Sequence, residues 1–153
     1  MSDSAIQDLY PEDTSHCYGC GYGNADGLQL KSYWDGQRSV ARFTPDARYT
    51  AIPGFVYGGL LASLIDCHGT ATAAAAAAGG PLAAGRLPRF VTASLAVDYR
   101  RPTPLGVELE LTGRALEVGE RKVVVDIELA AGGQTCVTGR VVAVRLPASM
   151  QGG

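Results

Sequence analysis

A double glycine, Gly58-Gly59, opens an apolar segment whose lone carboxylate is Asp66. A helix that begins there directs unpaired backbone N–H groups and the positive end of its dipole toward whatever precedes it. Such a helix start suits a developing oxyanion, and glycines allow a ligand to approach the backbone. Periodicity alone also fits a solvated aspartate that follows a tight turn.

The helical period separates this segment into two sides. Apolar side chains fall on one side, together with a histidine: Leu60, Leu61, Leu64, Ile65 and His68. Small or polar residues fall on the other: Gly59, Ala62, Ser63, Asp66, Gly69 and Thr70. Asp66 is therefore expected to point away from the core, with room beside it for a substrate or a partner subunit. His68 is predicted to be a buried histidine with a backbone partner, because residues two apart on a helix do not face each other.

Extended segments flank the helix on both sides. The helix is predicted from Gly58 to about Ala78, where an alanine series with high helix propensity meets Gly79-Gly80-Pro81. Strands are predicted over residues 28–34 and 39–43, with a turn at Asp35-Gly36, and then over 89–99, 107–118, 121–130 and 135–145. This order predicts an α+β fold in which one antiparallel sheet wraps around a central long helix. One helix covers one face of the sheet, so self-association is expected to protect the remaining apolar surface and sheet edge.

Length and composition predict one domain. The chain has 153 residues, 46% of them hydrophobic and 18% charged, with a net charge of −2. We place this domain at residues 16–146, between a loose N-terminal arm (1–15) and a flexible tail (147–153). Neither disorder nor a polyanion-binding surface is indicated, so nucleic acid is not expected as a partner.

Location and nucleotide chemistry are also constrained. The acidic, polar N-terminus lacks the pattern of a secretory signal, and residues 70–84 are too weakly apolar for a membrane span, which predicts a cytoplasmic protein with no membrane partner. Neither GxxxxGK[ST] nor a GxGxxG element between strand and helix occurs. Nucleotide hydrolysis and dinucleotide redox chemistry are therefore not expected.

Four cysteines raise the question of a metal. Cys17 and Cys20, beside His16, have the spacing of half a zinc site or a redox pair, but no second ligand pair follows at comparable spacing. Cys67 lies in the predicted helix and Cys136 in a predicted strand, so a metal site would require tertiary proximity. Free thiols and no metal are the expectation in a reducing cytosol.

The stretch 53–66 resembles the signature of hotdog-fold acyl-CoA thioesterases of the PaaI type, a His-Gly-Gly followed by an apolar helix that bears an acidic residue. Tyr57 stands where the family has histidine. Residues 17–28 are similar to the family's Cys-x-x-Cys-Gly, Asn, Gly-Leu opening, and residues 97–106 resemble its strand-ending Arg-Pro-x-x-x-Gly. The resemblance implies a hotdog fold that assembles as homodimers or homotetramers, with each active site between two subunits.

The resemblance also implies roles for single residues. Gly58 or Gly59 would donate its N–H to the thioester carbonyl, and Asp66 would act as general base for water or as nucleophile. Thr92, with Ser94 as the alternative on the same face, would hold the water or the sulfur from the first long strand. The substrate-binding set would include Tyr57, Ser63, Arg100 and Arg101, the two arginines meeting the phosphates of coenzyme A, with Arg89 and Arg121 as weaker candidates.

The function implied is hydrolysis of an acyl-CoA, with a medium-chain or aromatic acyl group, to the free acid and CoA. CoA enters as part of the substrate, and no cofactor is required. Two alternatives stay open at this point. One is a hotdog enoyl-thioester hydratase, a class that usually pairs Asp with His in a spacing that Asp66-Cys67-His68 does not supply. The other is a non-catalytic acyl-CoA binder, in view of Tyr57.

Overall fold

The computed structural model describes residues 1–83 and 87–151. One long helix, α1 (Gly58–Ala78), packs against a sheet of six strands, each antiparallel to its neighbours. The strands are β1 (Ser32–Trp34), β2 (Ser39–Phe43), β3 (Phe90–Tyr99), β4 (Leu109–Val118), β5 (Lys122–Ala131) and β6 (Gln134–Arg145), in the spatial order β1-β2-β4-β5-β6-β3. The predicted hotdog arrangement and the predicted bounds of the helix are confirmed.

The core lies between α1 and the inner face of the sheet. Strand β5 shows the two-residue period of a sheet with one covered face, because its buried side chains are Val123, Val125, Ile127 and Leu129. The predicted apolar side of α1 is buried in full, including His68. From Cys67 to Ala75 the helix is buried on all sides, which includes Gly69 and Thr70. The open side predicted for α1 is therefore confined to its first three turns, where Ala62, Ser63 and Asp66 are half-buried.

The first strand is shorter than predicted. It begins at Ser32, whereas the alternating pattern indicated residue 28. Gln29 has φ of 53°, a left-handed conformation that interrupts an extended strand. The N–H groups of Leu28 and Leu30 donate to the carbonyls of Tyr18 and Gly19, so a loop takes the hydrogen bonds that a strand partner would need.

The N-terminal arm is packed onto the domain, and its description as loose is wrong. Ile6–Leu9 forms a 3₁₀ turn in which Ile6 and Gln7 are fully buried. Asp8 forms an ion pair with Lys31. In the predicted tail, Ala148–Met150 forms another 3₁₀ turn, while residues 152–153 lie outside the described residues.

Helix α1 is long and apolar enough to cross a membrane by composition. However, 72% of its most apolar 18-residue window is buried inside the protein. This burial is what a core helix of a folded domain requires, since its apolar faces are already covered by the sheet.

Helix α1 packs closely against the sheet at Gly69, and this contact yields a stability prediction. A Cβ added there would lie 2.4 Å from Val141 Cγ2. Gly69→Ala should therefore lower the free energy of unfolding by about 1–3 kcal/mol, the usual cost of overpacking, and urea denaturation measures it. Gly80→Ala is the matched control, because no atom lies within 4 Å of its added Cβ. Adding Val141→Ala to Gly69→Ala should recover part of the loss; unchanged stability in the single variant would contradict the tight contact.

Candidate active site

The start of α1 is held in place by two backbone hydrogen bonds. Val56 N–H donates to the Thr103 carbonyl at 2.8 Å, and Tyr57 N–H donates to the Tyr49 carbonyl at 3.0 Å. Tyr57 occupies the N-cap position, and its side chain makes no capping hydrogen bond within residues 1–83 and 87–151. The N–H groups of the first helical turn, beginning with Gly58, have no carbonyl four residues earlier in the helix and so remain available to an acceptor.

A groove opens beside this helix start. Its volume is about 430 Å³, and its lining comprises Val56, Gly58, Leu61, Tyr99, Arg100, Arg101, Pro102 and Thr103. Arg100 and Arg101, predicted to meet phosphates, are exposed there. Tyr99 donates its hydroxyl hydrogen to the Gly58 carbonyl at 2.8 Å, which ties the end of β3 to the helix start. Sequence reasoning did not identify Tyr99 as a site residue.

Asp66 and Thr92 form a pair farther along the helix. Asp66 is half-buried on α1, and the Thr92 hydroxyl on β3 donates to Asp66 Oδ1. The prediction that a polar residue of the first long strand faces Asp66 therefore agrees with the geometry. A carboxylate that accepts one hydrogen bond at one oxygen keeps its other oxygen available for water.

A β-bulge in β3 decides which residues join this pair. Thr92 lies opposite Ala143 of β6, but Ser94 lies opposite Val142, the very next partner position, because the register shifts between them. Neighbouring positions of a strand point to opposite faces. Thr92 thus faces α1, whereas Ser94 faces away from it, and the prediction that Ser94 shares the face of Thr92 is wrong. The same shift turns Tyr99 toward α1, which an unbroken alternation from Thr92 would not indicate.

The two remaining predicted substrate-binding residues, Ser63 and Tyr57, belong to the region of the helix start. Ser63 Oγ donates to the Gly59 carbonyl at 2.8 Å, so its hydroxyl hydrogen is engaged with its own helix. The Tyr57 ring lies against Gly59, where an added Cβ would come within 2.5 Å of Tyr57 Cε2. Tyr57 is 44% exposed. Tyr57 is thus beside the N–H groups of the first turn, whereas Ser63 lies between that turn and Asp66, three residues farther along the same side of α1.

The helix start and Asp66 are well separated within one chain. Asp66 lies eight positions after Gly58 along α1, which corresponds to roughly 12 Å at 1.5 Å per residue. A thioester carbonyl group is far shorter than this. One chain therefore presents an N–H donor region and a carboxylate region as two separate half-sites.

His68 belongs to a buried polar network. Its Nδ1 lies 2.8 Å from Ser32 Oγ and its Nε2 lies 2.9 Å from Ser39 Oγ. Gln7 Nε2 donates to Ser32 Oγ, which leaves the Ser32 hydroxyl hydrogen for Nδ1. Thr72 Oγ1 donates to the His68 carbonyl and accepts from the Ser39 hydroxyl, which leaves Ser39 Oγ to accept from Nε2. Ser32 therefore donates to Nδ1, and Nε2 carries the imidazole proton. The prediction of a buried, non-catalytic histidine agrees with this geometry, although the partners are mainly hydroxyl groups.

Three of the four cysteines meet in space. The sulfur atoms of Cys17, Cys20 and Cys67 all lie within 4.8 Å of one another, whereas Cys136 lies in β6 and donates to the Gln134 carbonyl. Hydrogen bonds from Cys20 and Cys67 lower the pKa of the Cys17 thiol, and the pKa of Cys20 is raised to about 12 by its hydrogen bond to Cys17. The fold therefore brings Cys67 of α1 close to Cys17 and Cys20, which their spacing in the sequence could not indicate.

A concavity of about 860 Å³ lies on the outer face of the sheet. Its charged lining includes Arg140, which forms an ion pair with Asp126 at 2.8 Å. This surface faces away from α1, and of the predicted site residues its lining includes Arg100, whose guanidinium lies against Asp98 and Thr138.

Residues 53–138 match the family described as the thioesterase superfamily. This stretch covers more than half of the chain and contains α1, Asp66 and Thr92. The chain belongs to the thioesterase superfamily.

Individual relatives agree with this family. A thioesterase superfamily protein from Shewanella loihica is 53% identical and has a TM-score of 0.70, the match covering 90% of this chain and 100% of that one. The E. coli PaaI protein of the phenylacetic acid degradation operon, at 24% identity and a TM-score of 0.63 over 78% of this chain and 81% of its own, shares the fold. The resemblance to PaaI-type hotdog thioesterases is thus confirmed.

A curated relative is longer than this chain. The acyl-coenzyme A thioesterase THEM4 of Xenopus laevis is 33% identical over 87 residues. The match covers 57% of this chain but 35% of that relative, so the chain corresponds to about a third of its length.

The burial of His68 yields a prediction of pH-dependent stability. Burial lowers the pKa of His68 from 6.5 to about 4, against a smaller raising effect of the Ser39 carbonyl. Between these values the unfolded chain takes up a proton that the folded chain does not, so the free energy of unfolding should fall as pH drops from about 6.5 toward 4. The slope should reach about 1.4 kcal/mol per pH unit, and no such contribution remains above pH 7.

Urea denaturation between pH 5 and 7 measures this slope. His68→Gln, which keeps a neutral hydrogen-bonding side chain, should flatten it. His16→Gln, at the exposed second histidine, should leave it as in the wild type. A wild-type stability that does not change across this range would contradict the assignment.

Proposed function

We propose that this protein is a cytoplasmic acyl-CoA thioesterase that hydrolyses a medium-chain or aromatic acyl-CoA to the free acid and CoA. The hydrogen bond from Thr92 to the Asp66 carboxylate, on the helix whose N-terminus is free to donate, carries the proposal. Membership of the thioesterase superfamily and the acyl-CoA activity in the name of the Xenopus relative support it.

In the proposed reaction Asp66 acts on the thioester carbon. As general base, it takes a proton from water while the oxygen attacks the carbon; as nucleophile, it forms an acyl-aspartyl anhydride that water then hydrolyses. In either case the carbonyl electron pair moves onto oxygen, where N–H of Gly58 or Gly59 stabilises it. The C–S bond then breaks, the sulfur leaves as the CoA thiolate, and a proton restores its thiol. Thr92 orients the carboxylate for this work.

The separation of the two half-sites supports an active site shared by two chains. About 12 Å of helix divides Gly58 from Asp66, so a carbonyl bound at one half-site requires its second partner from another chain. Strand β3 is at one end of the strand order, and it exposes Leu95 and Tyr99. Antiparallel pairing of two β3 edges would place Thr92 of one chain near Tyr99 of the other, and with them Asp66 of the first near Gly58 of the second.

The groove at the helix start supports CoA as the carrier of the acyl group. Arg100 and Arg101 are exposed beside it, and the Arg101 guanidinium can pair with phosphates there. The Arg100 guanidinium donates to Thr138 Oγ1 and would have to leave that partner to meet a phosphate. The acyl group would lie along the half-buried part of α1, beside Ala62 and Ser63, whose small side chains leave space. We propose a homodimer or homotetramer as the active assembly, with CoA present as part of the substrate and no cofactor in the hydrolysis.

The hydratase alternative loses support from the position of His68. Both ring nitrogens of His68 are occupied by Ser32 and Ser39 on the side of α1 that faces β1 and β2. Asp66 points instead to β3. The pair Asp66 and His68 therefore cannot act on one substrate from the same chain.

One prediction of the proposed function concerns the Asp66 and Thr92 pair. Asp66→Asn should reduce kcat by about 10²- to 10⁴-fold, as expected for a lost general base. Thr92→Val should reduce it by roughly 10- to 100-fold, because a hydrogen bond to a charged group contributes about 1.5–3 kcal/mol. Thr92→Ser should retain most of the activity, and Ser94→Ala, on the opposite face, should retain all of it. Loss of thioester absorbance over a panel of acyl-CoAs measures the rates without thiol-reactive dyes, which four cysteines would confuse.

Two outcomes of this assay would contradict the proposal. Turnover that survives Asp66→Asn would mean that the carboxylate is not the acting group. Binding of acyl-CoA by wild type, without turnover of any substrate in the panel, would favour the non-catalytic binder.

Another prediction tests whether the active site is shared by two chains. Gly58 is the first helical residue, where proline is tolerated, so Gly58→Pro removes the N–H with little cost to the helix. Gly58→Ala is the matched control, because it adds a Cβ against Tyr99 but keeps the N–H. Gly58→Pro should lose activity relative to Gly58→Ala; equal activity of the two would assign the donor to Gly59.

Chains that carry Asp66→Asn and chains that carry Gly58→Pro should complement each other. A mixed dimer, isolated with two different affinity tags after coexpression, has one intact site and one doubly defective site if each site joins two chains. Its activity should be about half that of the wild type. Activity no higher than that of the parent variants would show that the two groups act within one chain.

A further inference from the structure

The cluster of Cys17, Cys20 and Cys67 lies outside the proposed catalytic machinery. Cys17 and Cys20 come from the loop formed by residues 17–28, and Cys67 comes from α1. Their three sulfur atoms lie within 4.8 Å of one another, and Cys17 Sγ is 3.8 Å from Cys67 Sγ. Cys20 and Cys67 are buried and Cys17 is half-buried.

These distances fit a metal ion better than unrelated thiol packing. In a tetrahedral zinc site the Zn–S distance is about 2.3 Å, which places two sulfur ligands about 3.8 Å apart. The pair Cys17 and Cys67 already has this separation, and the third sulfur needs a shift on the order of 1 Å at most. Three thiolates are a ligand set that zinc prefers.

The loop has the shape that a ligating Cys-x-x-Cys turn requires. Gly21 N–H donates to the Cys17 carbonyl at 2.8 Å, which closes the turn. At Gly19 only glycine fits, because a Cβ would lie 2.3 Å from Cys67 Sγ.

The surroundings supply a polar group and a positive charge. Tyr10 is buried in the same core cluster as Cys20 and Cys67, and its hydroxyl has no hydrogen-bond partner in the part of the chain that the structure describes. The Arg89 guanidinium lies 4.4 Å from the centre of the Tyr10 ring. A zinc ion with three thiolates has a net charge of −1, which a nearby guanidinium offsets.

We propose that Cys17, Cys20 and Cys67 bind one Zn²⁺ ion as three thiolates, with a solvent molecule completing the tetrahedron on the half-exposed side of Cys17. Binding releases the protons of those ligands that are still thiols, and no electron is transferred. The ion would cross-link the loop of residues 17–28 to α1. Because Cys67 is the residue next to Asp66, the ion would restrict the motion of the helical turn that carries the Asp66 carboxylate.

Metal content of the reduced protein is the direct test. The chain is reduced, stripped with a chelator, desalted and titrated with Zn²⁺ against a chromophoric chelator; Co²⁺ in a parallel titration reports thiolate ligands by its charge-transfer absorption. The wild type should bind one ion per chain, and Cys17→Ser, Cys20→Ser and Cys67→Ser should each bind none under the same conditions. Cys136→Ser is the matched control, since Cys136 is also buried but lies outside the cluster, and it should still bind one ion.

A measurement on the wild type alone covers the case in which the serine variants fail to fold. Zn²⁺ should slow alkylation of Cys17, Cys20 and Cys67, identified by peptide mass spectrometry, and leave Cys136 unchanged. Absence of Zn²⁺ binding by the wild type, binding of Cu⁺ alone, protection of a different set of thiols, or a Cys17–Cys20 disulfide in protein purified under reducing conditions would each overturn the proposal. None of these results depends on thioesterase activity, so this proposal and the proposed function fail independently.

Discussion

The close packing of α1 against the inner face of the sheet is the contact on which the other features depend. It is possible because glycines lie on both surfaces: Gly69 meets Val141, and Gly139 meets Ile65. At such a separation the helix has little freedom to slide or rotate, because a packed interior resists even a methylene-sized change. The helix therefore has one position relative to β3, and that position brings Tyr99 to Gly58 and Thr92 to Asp66.

Three consecutive residues of α1 contact three different parts of the protein. Asp66 accepts a hydrogen bond from β3, Cys67 faces the loop of residues 17–28, and His68 contacts serines of β1 and β2. The helical rotation of about 100° between neighbours separates these directions. A central helix that is surrounded on most sides can thus carry a reactive carboxylate, a thiol cluster and a structural histidine without interference among them.

Much of the fold could be predicted because its signals are local. The double glycine and the alanine series mark both ends of α1, and alternation of polarity locates β2 to β6 within about two residues. Local signals also misled at two places. Leu28 to Lys31 alternate like a strand but follow the loop of the cysteines, and the polar N-terminus conceals Ile6 and Gln7, whose partners lie far along the chain.

The sequence by itself determined the helix, its apolar side and the isolation of Asp66, since these depend on residues within a few turns of one another. Only the tertiary structure decided that Thr92 rather than Ser94 faces that carboxylate, because the bulge in β3 arises from its pairing with β6. It also decided that Cys67 joins Cys17 and Cys20 across fifty residues of chain. Such contacts depend on how distant segments pack together, and no local periodicity records that packing.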